Sequence, residues 1–211
     1  FVIAEIGHNH MGKLDVAYKL IEAAKRCGAD AVKFQKRDNK SLYTKKFYDS
    51  PYDNANSYGH TYGRHREYLE FNYKQYALLK KFAKKLGIYL FATPFDFKSV
   101  KFLKKLKMPC YKIASADLIN LPLQKEIAKT GKPVILSTGG GTFKDIDRAV
   151  KNILKINKNL TVLHCTASYP ADFKDMNLSV IKKLKDKYKK ITIGLSDHEN
   201  GIDAGAVSYT H

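Results

Sequence analysis

No apolar run in the 211 residues approaches the roughly 18 that a membrane-spanning helix needs; the best stretch, Ile88 to Ala92, meets polar residues within a few positions. Cysteine is scarce. Cys27, Cys110 and Cys165 are odd in number and share no C-x-x-C spacing, which argues against a disulfide framework or a structural zinc site and fits a reducing cytoplasm. The dinucleotide fingerprint G-x-G-x-x-G is missing: the turn after the first apolar run reads G-H-N-H-M-G, with its glycines five apart, and no acid caps the second run. Acidic residues are few, 20 against 38 Lys plus Arg, for a net charge of +18. Such a balance raises nucleic acid, an anionic membrane surface or an acidic small substrate as partners. The lysines, however, are scattered over polar faces of expected helices (Lys80, Lys84, Lys101, Lys105, Lys183), and no zinc-finger or RNP-type motif accompanies them. A solvated Lys-rich surface, with neither a nucleic-acid nor a membrane partner, accounts for the charge better than a basic binding module.

What is present is a strict alternation. Short runs at Val2 to Ile6, Ala31 to Phe34, Ile88 to Ala92, Cys110 to Ala114, Pro133 to Ser137, Leu160 to Cys165 and Ile191 to Leu195 are nearly continuous in apolar character, as strands buried on both faces are. Amphipathic stretches lie between them, at Asp15 to Cys27, Tyr73 to Leu86, Lys98 to Leu106, Leu123 to Thr130, Phe143 to Ile156 and Leu178 to Lys187. Gly28, Gly87 and Gly131 punctuate several helix ends. Seven βα units in series predict an α/β chain, either doubly wound or a TIM (β/α)8 barrel.

Polar residues favour the barrel, because they collect where each strand ends: Glu5, Lys33 with Gln35, Thr93, Lys112 with Ser115, Ser137, Thr166, and Ser196 with His198. In a barrel that rim carries the chemistry. One polar residue there is an N-cap by default; recurrence at seven strand ends is harder to attribute to capping. Closure requires an eighth strand, so the expectation is a barrel truncated here after about seven units, in a sequence that begins with Phe1 inside a longer gene product. The connection from Lys36 to Asn72, 37 residues dense in Tyr, Asn and His, is expected to be an ordered cover over the rim.

The segments A-E-I-G-H-N-H-M-G (Ala4 to Gly12), G-A-D-A-V-K-F-Q (Gly28 to Gln35), F-A-T-P-F-D (Phe91 to Asp96), Y-K-I-A-S-A-D (Tyr111 to Asp117), I-L-S-T-G-G (Ile135 to Gly140), H-C-T-A-S-Y-P (His164 to Pro170) and G-L-S-D-H-E-N-G-I (Gly194 to Ile202) together resemble the sialic acid synthase family, in order and in spacing. The resemblance implies a TIM barrel followed by a small antifreeze-like domain. It implies condensation of phosphoenolpyruvate with N-acetylmannosamine, its 6-phosphate or a related amino sugar, and a divalent metal, Mn²⁺ first, with Mg²⁺ or Co²⁺ as alternatives. A cytoplasmic homodimer is implied as well. Thr93, Lys33, Lys112, Ser115, Ser137 and Ser196 fall at the family's phosphoenolpyruvate site, and Gln35, Asp117 and Tyr169 on the sugar side. His198 matches a metal ligand, whose histidine partner is expected beyond residue 211. Asp117 stands where many bacterial members carry Glu, Ala167 where some carry Asn, and Ser57 to Glu67 resembles the animal-type members.

The residues make chemical sense of this on their own. Phosphoenolpyruvate carries a phosphate and a carboxylate, and two ammonium groups rooted in buried strands ask for an anion, since burying one alone costs several kcal/mol. The alternative for Lys33 and Lys112 is an internal pair with Glu5 or Asp117. Gly139 to Gly141 offer amide donors, although no Walker-type Lys-Ser/Thr follows. Glu5 is the candidate for proton handling, with neutralisation of Lys33 as its plainer role. Asn9 and His10 order the first loop and reach toward the sugar. A Schiff-base aldolase using either lysine, and a synthase joining phosphoenolpyruvate to another aldose to give an octulosonate or heptulosonate, are the competing enzyme readings.

Overall fold

A computed structural model describes residues 1–210 and divides the chain into two compact units, Phe1–Pro109 and the part from Cys110 onward. The first contains β1 (Ile3–Gly7), α1 (Leu14–Arg26), β2 (Ala31–Lys36), three short helices α2 (Asn39–Leu42), α3 (Lys45–Tyr48) and α4 (Tyr62–Tyr68), then α5 (Tyr73–Leu86), β3 (Tyr89–Pro94) and α6 (Phe97–Lys105). Its strands pair in parallel in the order β1-β2-β3, with Glu5 opposite Lys33 and Gln35 opposite Thr93. Ala31, Val32 and Phe34 are fully buried, as the two-sided burial of a parallel strand requires.

The crossover helices bury one stripe each. Ala17, Ile21 and Ala24 of α1 and Tyr76, Leu79 and Ala83 of α5 recur at helical spacing and lie inside. Truncating Leu79, which has no exposed surface, would cost about 2–5 kcal/mol. The start of α5 is fixed by a capping box: the Asn72 side chain accepts from the Gln75 backbone N–H, and the Gln75 side chain accepts from the Asn72 N–H. Its end is fixed by Gly87 at φ +66°, a left-handed position that a Cβ would strain. The 36–72 connection is ordered, as the sequence predicts, but it is helical in three short pieces. Asp38, Thr44 and Thr61 cap them, and aromatic contacts such as Tyr43 with Tyr62 (5.2 Å) and Tyr52 with His65 (4.6 Å) hold them together. Only glycine fits at Gly63, where a Cβ would run into the Tyr48 ring.

The second unit holds β4 (Tyr111–Ile113), a 3₁₀ turn at Ser115–Asp117, α7 (Leu121–Ala128), β5 (Val134–Ser137), α8 (Phe143–Leu154), β6 (Leu160–Cys165), α9 (Phe173–Met176), α10 (Ser179–Lys187), β7 (Thr192–Ser196) and α11 (Asp203–Thr210). These strands also pair in parallel, β4-β5-β6-β7, and the register sets Cys165 opposite Ser196. Ile146, Ala149, Val150 and Ile153 form the buried stripe of α8, whose Thr142–Asp145 capping box mirrors that of α5. The seven strands and their alternation with helices make this an α/β chain. Element ends differ from the sequence reading by a residue or two, and α9 has no periodic signal because four residues make barely one turn. Among the described residues no helix is long and apolar enough to cross a membrane.

Candidate active site

In the first unit the parallel register carries Glu5, Lys33, Gln35 and Thr93 to neighbouring strand ends. The Lys33 ammonium ion-pairs with Glu5 and donates to Thr93 Oγ1 at 2.9 Å, while Gln35 Nε2 donates to Glu5 Oε1 at 3.3 Å. The internal pair that the sequence leaves open for Lys33 is therefore made. It is lopsided: the Lys33 side chain is 12% exposed and the Glu5 side chain 45%. Burial pulls the Lys33 pKa down, against the upward pull of Glu5.

His10 and Asn9 follow on the first loop. His10 is buried, its ring stacked 4.1 Å from that of Phe71, and its Nδ1 accepts from the Gly12 N–H at 3.1 Å. Burial brings its pKa down to about 4, so the ring is neutral and shapes the loop. Asn9 is exposed and its N–H caps Ile6 O at 2.9 Å. Below the cover segment lies a charge network without a clear signal in the sequence. Glu70 accepts from Lys36 Nζ (2.7 Å) and the Arg37 N–H (3.2 Å) and faces His8 Nε2 at 3.5 Å, while Arg66 Nη2 donates to His8 Nδ1 at 3.2 Å. Burial pushes Glu70 up, yet hydrogen bonds with His8 and Lys36 outweigh it and hold the carboxyl below its ordinary value.

In the second unit the Lys112 residue is 7% exposed and its ammonium donates to the Ser137 hydroxyl. Ser115 Oγ accepts from the Gly139 N–H at 3.0 Å, so that one of the three glycine amides is already engaged. Asp117 accepts from Asn120 Nδ2 at 3.0 Å, just past the 3₁₀ turn. Ser196 lies at the end of β7, and His198 stacks against the exposed Tyr169 ring at 4.0 Å. Cys165 is the residue that motif reasoning passes over. Its Sγ lies 3.9 Å from His198 Nδ1, and the signal was its cross-strand position beside Ser196. Burial pushes the thiol up, but hydrogen bonds from His198, Ser115 and Ser196 outweigh it and lower its pKa; the same Cys165 contact raises that of His198.

His198 suits a metal as a single ligand. Nδ1 lies 2.9 Å from the Thr166 carbonyl, which only accepts, so in the neutral ring the proton sits on Nδ1 and Nε2 keeps its lone pair. Among the described residues no group of three His, Cys, Asp or Glu is arranged to hold a cation, so a complete ligand set is not found there. Two outlying lysines of the first unit bond backbone carbonyls: Lys80 Nζ donates to Leu106 O (2.6 Å) and Lys107 O (2.9 Å), and Lys25 Nζ to Gly87 O at 3.0 Å.

Comparison with known proteins gives the family. The NeuB family model matches residues 20–210. The chain belongs to the NeuB family. Within it, the chain is 40% identical over 96% of its length to N-acetylneuraminate-9-phosphate synthase of Homo sapiens, covering 56% of that protein. It is also 40% identical over 95% of its length to the N,N'-diacetyllegionaminic acid synthase of Campylobacter jejuni, covering 61% of it. The N-acetylneuraminic acid synthetase structure from Leptospira borgpetersenii, solved with citrate, superposes with a TM-score of 0.86 at 35% identity over 99% of this chain and 68% of that one. The chain thus spans less than two thirds of these curated NeuB relatives.

Proposed function

We propose that the protein condenses phosphoenolpyruvate with N-acetylmannosamine, its 6-phosphate or a related amino sugar, giving a sialic acid-type nonulosonate and inorganic phosphate. The observation that carries this reading is the Lys112 ammonium, on a buried residue of β4 and bonded to the Ser137 hydroxyl, at positions that by resemblance match the family's phosphoenolpyruvate site. In this reading, as the family resemblance implies, Lys33, Thr93, Lys112, Ser115, Ser137 and Ser196 serve that ester. Ammonium groups of low exposure are strong anion donors because little water competes for them.

In the reaction, C3 of the enol ester attacks the aldehyde carbon of the open-chain sugar, water adds at C2, and the C2–O bond to phosphate breaks as phosphate leaves. His198 offers one ligand to a divalent cation, which when bound would supply Lewis acidity. Lys33 and Lys112 hold the phosphate and carboxylate through these steps and neutralise the charge that grows on the leaving group. Glu5, solvent-facing where it meets Lys33, takes the proton released when water adds. Gln35 positions Glu5 through its 3.3 Å bond. Asn9, Asp117 and the exposed Tyr169 face the sugar in this reading, and His10 acts through the loop. A (β/α)8 barrel, a homodimer and a cytoplasmic setting belong to the same proposal.

The test is phosphoenolpyruvate labelled with ¹⁸O in the bridging C2–O position, turned over with a panel of amino sugars and, as controls, arabinose 5-phosphate and erythrose 4-phosphate. Label in the released phosphate with an amino sugar alone supports the reading. Turnover confined to the control aldoses, or a lysine trapped by borohydride with pyruvate while activity survives EDTA, overturns it.

A further inference from the structure

Cys165 ends β6 beside Ser196 of β7, and the reaction described above gives it no part. It is the buried one of the three cysteines, 6% exposed, yet polar side chains surround its sulfur. Sγ lies 3.9 Å from His198 Nδ1, and the Ser115 and Ser196 side chains hydrogen-bond the same thiol. Three residues that the proposed function uses thus converge on one sulfur. They come from different places in the second unit: Ser196 from the end of β7, His198 from the loop after it, and Ser115 from the 3₁₀ turn after β4.

Two of the three have a second tether. His198 Nδ1 lies 2.9 Å from Thr166 O, so its proton is shared between a carbonyl and the sulfur. Ser115 Oγ accepts from the Gly139 N–H at 3.0 Å, which leaves its own proton for the thiol. The packing is close: Ser115 Oγ and the Cys165 carbonyl crowd the same face of Gly139, 3.0 and 3.1 Å from where a Cβ would stand. Sulfur suits such a junction because it is large and a weak acceptor. It keeps hydroxyl protons aimed at one point, and an anion that arrives with stronger acceptors takes them over at little cost.

We infer that Cys165 is a positioning residue: its thiol holds the Ser115 and Ser196 hydroxyls and the His198 ring in the arrangement that phosphoenolpyruvate meets, and gives up the hydroxyls when the ester binds. The ligand named here rests on the proposed function; the clustering on sulfur does not. Cys165 forms no covalent bond in this role. Pre-ordered donors lower the entropy lost on binding, so the thiol acts on affinity for the ester. The chemical step depends on it less, because His198 keeps its bond to Thr166 O without the sulfur.

The test compares the wild type with Cys165→Ala, Cys165→Ser and, as a control for loss of a thiol elsewhere in the unit, Cys110→Ala. Phosphoenolpyruvate binding is measured by calorimetry and stability by thermal unfolding, and the Cys165 ¹³Cβ resonance of the wild type is followed as the ester is added. Expected is an affinity about 10-fold lower in Cys165→Ala, about 3-fold lower in Cys165→Ser and unchanged in Cys110→Ala, with the Cys165 resonance moving to saturation. In turnover, Cys165→Ala should raise KM for the ester about 10-fold and change kcat less than about 3-fold. Equal affinity in wild type and Cys165→Ala overturns the role, as does a fall in kcat alone or an equal loss in Cys110→Ala. So does an unmoved Cys165 resonance at saturation, a result that needs no variant to fold. If the ester binds with this dependence on Cys165 but no ¹⁸O appears in phosphate, the condensation fails and the positioning role stands; a wild type that binds no ester sinks both.

Discussion

The strand ends of the two units handle charge differently. In the first, the segment that carries the three short helices leads into a group of low exposure in which several side chains meet one another: Lys36 with Glu70, His8 with Arg66 and Glu70, His10 stacked on Phe71. In the second, His198 is partly open, Tyr169 is 79% exposed, and the buried ammonium of Lys112 bonds a hydroxyl. The two histidines His10 and His198 bear the consequence. Each comes shortly after a strand end, yet burial makes His10 a neutral loop brace, while contact with a thiol raises the pKa of His198. Position on the rim does not assign a role. Cover does, because a covered charge must find its partner inside the protein.

The largest effect should come from breaking a covered pair. Lys36→Met leaves Glu70 buried, its side chain 6% exposed, with one cation fewer, and is expected to lower stability by about 3–5 kcal/mol in urea unfolding. An unchanged midpoint would erase the contrast drawn between the units. Next, Lys112→Ala should act on chemistry, lowering phosphate release by about 100- to 1000-fold, as loss of a donor to developing negative charge does. Near-normal turnover would remove Lys112 from the anion site and leave it as part of the core.

How far these roles could be read from the sequence obeys the same division. The seven strands were legible because parallel strands buried on both faces are continuous apolar runs. The meeting of Lys33 with Glu5 was legible as an alternative because ends of neighbouring strands are adjacent in a parallel register. The Arg37–Arg66 cluster was not: its members are 29 residues apart, separated by helices too short to show a period. The Cys165–His198 contact spans 33 residues: the strand pattern sets Cys165 beside Ser196, but the approach of His198 depends on the loop after β7. Local order is written in periodicity; the matching of buried charges is a tertiary fact that only the folded cover makes visible.

The two histidines can also be separated by pH. His10 has an ordinary value of 6.5 and a folded value of about 4, so folding favours the neutral ring. Stability from this group is fully present above 6.5 and is lost as pH falls toward 4, by up to about 3 kcal/mol. Unfolding free energies at pH 7, 5.5 and 4 should decline accordingly. His10→Phe, which keeps a ring against Phe71, should flatten that part of the curve; a slope unchanged by the substitution would assign the loss to other groups.

The smallest effect tests the comparison from the opposite side, where the two units should behave alike. Each has one long crossover helix opened by a capping box, Asn72 with Gln75 on α5 and Thr142 with Asp145 on α8. Both boxes satisfy the same orphan N–H groups at solvent-facing helix starts, away from the covered charges. Asn72→Ala and Thr142→Ala should therefore each cost about 1 kcal/mol, in additive fashion when combined, because the sites share no partner. A much larger cost at Asn72, two residues past Glu70, would mean that the cap also anchors the cover segment, and that the charge network owes its geometry to the start of α5.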